Sequence, residues 1–426
     1  MNPDPFDQNF KRWKAFIFGL LKHLTLRSSV TFYLGEIYAL LLVFLSPKSI
    51  KNSWNDKPAR LIVLILSGYI ITQLVSDLVI NRVDHADLIR GLANTGMAAV
   101  LFVYLLSQFA KGLHLIWLIL LGESISLLVS VFFSETPLSE INEIFKSIVS
   151  PALHNLMLIT GFIALRKSFA LWKLSVIFLI YGLLTIYFDA RWYGLSFVIL
   201  SIGIVFKDVF VRLSIIKKMI SVLVVFGIGA LLMVGYVSAV MSGNLNNSRI
   251  QRQLHLVENP YNPVQVLKIG RAETYIAVQA ILKKPWLGYG DWARDPEGVY
   301  YTKYLELRGY GNVVEEYPDY IKNQTIPNHS VLFGAWLYTG IMGFFAMVVL
   351  LVLLVHKSIR VLMSGTLVNH PLQLITLYFL INGVWVFFFS PIQHLRHTVV
   401  FYLAFLLVQE QQCFFGQNSI NSVDEA

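Results

Sequence analysis

The chain has 426 residues, of which 56% are hydrophobic and only 14% charged, and its mean hydropathy is +0.62. That charged share is about half of what soluble domains carry, and long apolar runs recur, so the class expected is a polytopic, all-α membrane bundle; outer-membrane barrels are excluded, because their strands show only short alternating segments. The net charge of +9 is spread over short loops, which suits basic cytoplasmic loops and not a nucleic-acid surface, and the single Cys413 allows no disulfide or cysteine metal site within one chain.

In chain order, the opening stretch MNPDPFDQNFKRWKAFIFG carries acids before its basic cluster and lacks a small-residue cleavage site, so it is expected to be retained and not to be a signal peptide. A bilayer core needs about 20 apolar residues per helix. Spans are expected near 30–46, 60–80, 88–108, 114–133, 147–165, 170–187, 191–206, 219–241, 330–354, 372–389 and 395–411. Segment 13–27 is short for a crossing. It reads either as an interfacial amphipathic helix or, as preferred here, as a twelfth partial crossing that returns the N-terminus to the cytoplasm.

Loop charge alternates along these spans. Lys48, Lys51, Lys57 and Arg60 share one side with Lys111, with Arg166, Lys167 and Lys173, with Lys207, Arg212, Lys217 and Lys218, and with Lys357 and Arg360. The intervening loops are short or acidic, as in Ser134 to Glu143. The positive-inside rule makes the basic side cytoplasmic and puts the long polar segment outside. Three regions result: an N-terminal transmembrane bundle over 1–241, a large outer loop over 242–328, and C-terminal transmembrane helices with a short tail over 329–426. Within the loop, RAETYIAVQAILK at 271–283 has the spacing of an amphipathic helix, broken by Pro285 and Gly288. A loop this long that folds is often functional, and it is read as a partly helical lid.

Four residues meet on the outer face by this topology. Arg191 opens a span, Arg271 opens the loop helix, His329 opens the next span in Asn328-His329-Ser330, and Arg396 stands in SPIQHLRH near His394. Guanidinium forks bind phosphate oxygens bidentately, and a neutral histidine can take a proton from a hydroxyl. Each also has a plainer role: His329 beside an Asn328 helix cap, Arg191 and Arg396 reaching for headgroups, Arg271 as a solvated charge. Intramembrane Glu36, Asp77 and Glu123 are functional candidates by default, Arg90 in the third span could pair with one of them, and the plainer reading of these groups is internal ion pairing or hydrogen bonding. Gly288-Tyr289-Gly290 is not a nucleotide loop, since no strand precedes it and no Gly-Lys-Ser/Thr follows. His394 and His397 lack a neighbouring carboxylate, and no metal site is expected there.

Three stretches resemble the O-antigen ligase and polymerase superfamily. Pro327-Asn328-His329-Ser330 with Leu332, Gly340 and Gly343 is similar to its histidine signature; GRAETYIAVQAILKKPWLGYG at 270–290 is similar to its loop helix; DARWYG at 189–194 is similar to its arginine segment. Departures are Ser330, where Asn is frequent, and Asp189 and Trp192, where small or hydroxyl residues are common. The resemblance implies a GT-C-like inner-membrane glycosyltransferase of about eleven to twelve spans, acting at the periplasmic face with neither metal, nucleotide nor other cofactor. The donor would be an undecaprenyl-diphosphate-linked glycan. Arg191 and Arg271, and with a weaker match Arg396, would bind its diphosphate, and His329 would activate the acceptor hydroxyl, with inversion at the sugar. The acceptor would be lipid A-core in a ligase, the reading preferred here, or a second lipid-linked glycan in an O-antigen or exopolysaccharide polymerase. A polysaccharide or lipid transporter is the competing class, against which stands the lack of an internal repeat.

Overall fold

The computed structural model describes residues 5–27, 31–131, 144–188, 190–212, 234–235, 237–243, 254–257, 259–365 and 370–421. The expected span at 219–241 and the acidic loop from Ser134 to Glu143 lie almost wholly outside the described residues.

The described chain is mostly helical. Before the long loop come α1 (Pro5–Leu21), α2 (Leu34–Phe44), α3 (Pro47–Asn55), α4 (Lys57–Leu74), α5 (His85–Phe109), α6 (Leu115–Ser130), α7 (Ser150–Arg166), α8 (Leu171–Tyr187) and α9 (Arg191–Arg212). The loop holds α10 (Pro263–Gly270), α11 (Ala272–Lys283), α12 (Val299–Leu307), α13 (Gly311–Glu316) and α14 (Pro318–Ile321). The chain then continues through α15 (Val331–Thr339), α16 (Ile341–Met363), α17 (Gln373–Phe389) and α18 (Val400–Asn421). Wider π-helical turns extend α4 over Val75–Asn81, precede α7 over Phe145–Val149 and precede α18 over Leu395–Val399. Among the described residues, two minimal antiparallel strand pairs join Thr25–Arg27 with Thr31–Tyr33 and Arg294–Asp295 with Gln324–Thr325.

Among the described residues, four helical runs are long and apolar enough to cross a membrane: Lys57–Asn81, His85–Phe109, Phe145–Arg166 and Ile341–Met363. Four expected spans instead contain shorter apolar helices, Leu34–Phe44, Leu115–Ser130, Leu171–Tyr187 and Gln373–Phe389. The expected continuous span at 330–354 is corrected most clearly. It is two helices, α15 and α16, separated at Gly340, whose φ is +73°. A run of apolar residues satisfies hydropathy whether or not its backbone bends.

The segment at 13–27 joins the bundle. Backbones of α1 and α6 touch, because a Cβ on Gly19 would lie 2.2 Å from Ile119 O and one on Gly122 would lie 2.4 Å from Phe16 O. Small residues permit this approach between apolar helices. With Ala15 and Phe18 buried against the core, α1 is a packed element and not a separate surface helix.

At the centre stands α18, where Val400 to Glu410 are all buried; a helix apolar on every side belongs inside. One end of the bundle gathers the basic loops. There Lys357 and Arg360 pair with Glu410 at 2.6 and 2.8 Å, Gln411 donates to Asp56 at 2.8 Å, and Lys207 bonds Gly365 O and Gln373. The long loop packs at the opposite end, where Asp291 and the 285–290 stretch meet the C-terminal turns of α4.

Candidate functional site

The placement of His329 begins with a buckle between the loop and the broken helix. After α11, Tyr289 N donates to Leu337 O at 2.7 Å and Gly290 N to Tyr338 O at 2.9 Å. In return Trp336 Nε1 donates to Pro285 O at 2.8 Å and Ile341 N to Trp286 O at 3.3 Å. Ser76 Oγ lies 2.9 Å from both Leu287 O and Tyr338 O. The glycines make this approach possible: a Cβ on Gly288 would lie 2.5 Å from Tyr338 O, and one on Gly340 would lie 2.1 Å from Trp286 O.

At the other end of α15, Ser330 is the N-cap. Its Oγ accepts from Phe333 N at 3.1 Å and donates to Phe387 O at 2.8 Å. Asn328 is not the cap; its carboxamide turns back to Ser330 O at 3.3 Å, against the space left by Gly334. The capping duty therefore falls on a neighbour, and the ring of His329 takes no part in it.

That ring lines a cavity of about 240 Å³ with Trp192, Tyr193, Asn382, His394 and Tyr402. His329 is exposed to this space while the surrounding protein is dense. Burial lowers its pKa below the ordinary histidine value, Arg271 and Arg308 add to the lowering, and Glu273 opposes it. His394, on the same wall, is pushed down to about 4 by burial and by the neighbouring His329 and Lys22. Both imidazoles are thus held neutral near pH 7, the form that accepts a proton.

Arg271 lies within electrostatic reach of both Arg191 and His329. Trp192 follows Arg191, stacks on Trp385 with ring centroids 3.8 Å apart and planes 9° apart, and donates from Nε1 to Asn382 Oδ1 at 2.6 Å. The guanidinium of Arg271 lies 4.7 Å from the Trp385 ring and 4.9 Å from Phe389. An aromatic face holds a cation without occupying its N–H groups. Burial lowers the pKa of Arg271, and the nearby Arg308 and Arg191 lower it further against Glu273; a guanidinium stays charged through such a shift. Arg191 and Arg308, each within electrostatic reach of Arg271, form with it a concentration of positive charge that suits an anion.

Arg308 and Glu273 are members of this site that sequence reasoning missed. Arg308 Nη2 is 3.4 Å from Glu273 Oε1, and Tyr304 donates to the same oxygen at 3.2 Å. In the sequence Arg308 is one charge among many in a polar loop, and only the folding of α12 against α11 brings it to His329.

Arg396 stands elsewhere. It is almost fully buried, its Nε is 3.3 Å from Glu36 Oε1, and its guanidinium lies 5.2 Å from the Tyr33 ring. It lines a different cavity, on the far side of the turn that carries His394. The expectation that it joins Arg191 and Arg271 is corrected: one helical turn with Arg396 and His397 in succession points them to different sides. The pairing expected of Arg90 is corrected too, since its ion pair is with Asp87 at 3.2 Å. Glu123 pairs with Lys22 at 2.8 Å and with His23 at 2.9 Å, and Asp77 accepts from Asp291 N at 2.7 Å.

Comparison with known proteins finds no matching family model and no matching curated protein.

Proposed function

We propose that this chain is an inner-membrane glycosyltransferase of the O-antigen ligase and polymerase kind, acting at the periplasmic face. Membrane residence is supported by the four spanning-length helices and by outward apolar residues such as Ile71, Ile180, Ile202 and Val352, a surface suited to lipid. The observation that carries the reading is a histidine that opens on a cavity and is held neutral, with Arg271 and Arg308 in electrostatic reach of it and Arg191 in reach of Arg271.

In the proposed reaction, an undecaprenyl-diphosphate-linked glycan sets its diphosphate against the arginines. The acceptor hydroxyl oxygen attacks the anomeric carbon from the face opposite the diphosphate. The new carbon–oxygen bond forms as the bond to the diphosphate breaks, and its electron pair leaves with the diphosphate. His329 takes the hydroxyl proton, and the guanidinium groups hold the charge that grows on the leaving group. The products are a glycan of inverted configuration on the acceptor and undecaprenyl diphosphate.

The test is reconstitution of the purified chain with a lipid-linked glycan. His329→Ala should reduce transfer by about 10²–10⁴-fold, the range expected of a lost general base, while the protein still inserts and accumulates. Arg271→Lys should not restore donor use, because an ammonium cannot form the bidentate fork. Wild-type transfer by His329→Ala would remove the reading. Product on lipid A-core marks a ligase, the form favoured here, and lengthened lipid-linked chains mark a polymerase.

A further inference from the structure

The turn Pro391–Thr398 is a wall between two cavities. Pro391, His394, His397 and Thr398 face the His329 cavity, whereas Ile392, Gln393 and Arg396 face another, of about 360 Å³. This second cavity is the larger and lies at the same end of the bundle, because Asp291 and Trp292 of the long loop close it against Gln73, Gly91 and Asn94. Its volume is within the usual range for small-molecule sites, about 300–1,000 Å³.

The lining has a definite chemistry. Tyr33 and Trp292 offer aromatic surface, and Gln73, Asn94 and Gln393 offer carboxamides. The Asn94 Oδ1 acceptor is buried without a hydrogen-bond partner. Asp291 accepts from Gln73 Nε2, and burial together with the charge of Asp77 holds its carboxyl well above the usual range. A raised carboxyl pKa favours the protonated form, which donates through its hydroxyl as well as accepts. The arginines are already matched. Arg90 and Arg294 share Asp87 at 3.2 and 2.7 Å, and Arg396 has Glu36 at 3.3 Å. The two arginines of the lining thus each have a carboxylate beside them that offsets their charge.

Trp292 is also held under strain. Its φ is +61° and that of Ala293 is +26°, a conformation unusual for a bulky residue. The turn is fixed by Asp291 N on Asp77, Ala293 N on Gly290 O at 3.1 Å and Ile326 N on Ala293 O at 2.9 Å. Strain retained at a side chain that faces a cavity is a mark of use.

We propose that this second cavity, lined by Tyr33, Trp292, Gln73, Asn94 and Asp291, binds a neutral sugar unit, separately from the transfer centre at His329. Aromatic faces pack on the apolar side of a sugar ring. Groups that both donate and accept match hydroxyls, which do the same, and a balanced charge gives no preference for acids. The choice of a saccharide among hydroxyl-rich ligands rests on the transfer reading above; the binding itself does not.

The experiment uses the full chain in detergent, with saturation-transfer NMR against a panel of neutral disaccharides, a uronic-acid disaccharide and inositol. At least one neutral disaccharide is expected to bind saturably, with affinity lowered tenfold or more in Trp292→Ala or Asn94→Ala and unchanged in His329→Ala. If Trp292→Ala does not fold, Asn94→Ala alone decides. The proposal is overturned if no neutral disaccharide binds, if only the acidic one does, or if every folded variant binds as the wild type does. Normal transfer by His329→Ala would remove the function proposed above and leave this site standing. Absent sugar binding with transfer still dependent on His329 would remove this site alone.

Discussion

In the proposed reaction His329 is the base, and three neighbouring charges act on its titration, each with a sign open to test. The acid limb of the transfer rate should report its titration, since only the neutral ring accepts a proton and activity falls as pH drops through its pKa. Burial, Arg271 and Arg308 lower that pKa and Glu273 raises it. Arg308→Gln should therefore move the acid limb to higher pH, and Glu273→Gln should move it to lower pH, in a kcat/KM profile. An acid limb unmoved by either variant would show that neither charge acts on the base. At this scale the sequence was informative about residue types and membrane depth, but not about which way around a helix a side chain points. Arg191, Arg271 and His329 could be grouped because each begins a helix on the same side. Arg396 was grouped with them on depth alone, and one residue of rotation sends it to Glu36.

The buckle between 285–290 and α15 is the element on which the site depends, and it is made by backbone atoms that only glycine lets meet. Gly340→Ala should destabilise the protein by at least about 1–2 kcal/mol from the left-handed backbone alone, and by more from the contact with Trp286 O. A lowered Tm for the purified protein, with transfer lost at temperatures where wild type works, is the expected outcome; an unchanged Tm would show the break to be unimportant. The loop helix was legible, since 271–283 was expected from its spacing and α11 runs over Ala272–Lys283. Pro285 and Gly288 were legible as interruptions. Their partner was not, because residues 285–290 and 337–341 are far apart in sequence and hydropathy does not register a positive φ at Gly340.

Across the whole molecule, charge separates the two ends. Lysines and arginines of short loops collect with Glu410 and Asp56 at one end, and the long loop covers the other. Lys51 and Lys303 are both exposed, one at each end. With Cys413 replaced, a Lys303→Cys variant should react with a membrane-impermeant maleimide in spheroplasts, and a Lys51→Cys variant should react only after lysis. The reverse pattern would invert the proposed orientation. This division was readable from the alternation of basic loops, whereas the number of full crossings was not. Length and hydropathy count apolar residues, but a helix of 11 or 16 residues, such as Leu34–Phe44 or Leu115–Ser130, satisfies them only in part. The buckle has an evolutionary consequence as well. Main-chain atoms fasten the loop immediately after α11, so the stretch from Val299 to Ile321 is tethered as a cassette. Provided Arg308 and Tyr304 keep Glu273 and Tyr300 and Leu307 keep their packing on α11, the exposed positions of that cassette can vary in sequence without unseating His329.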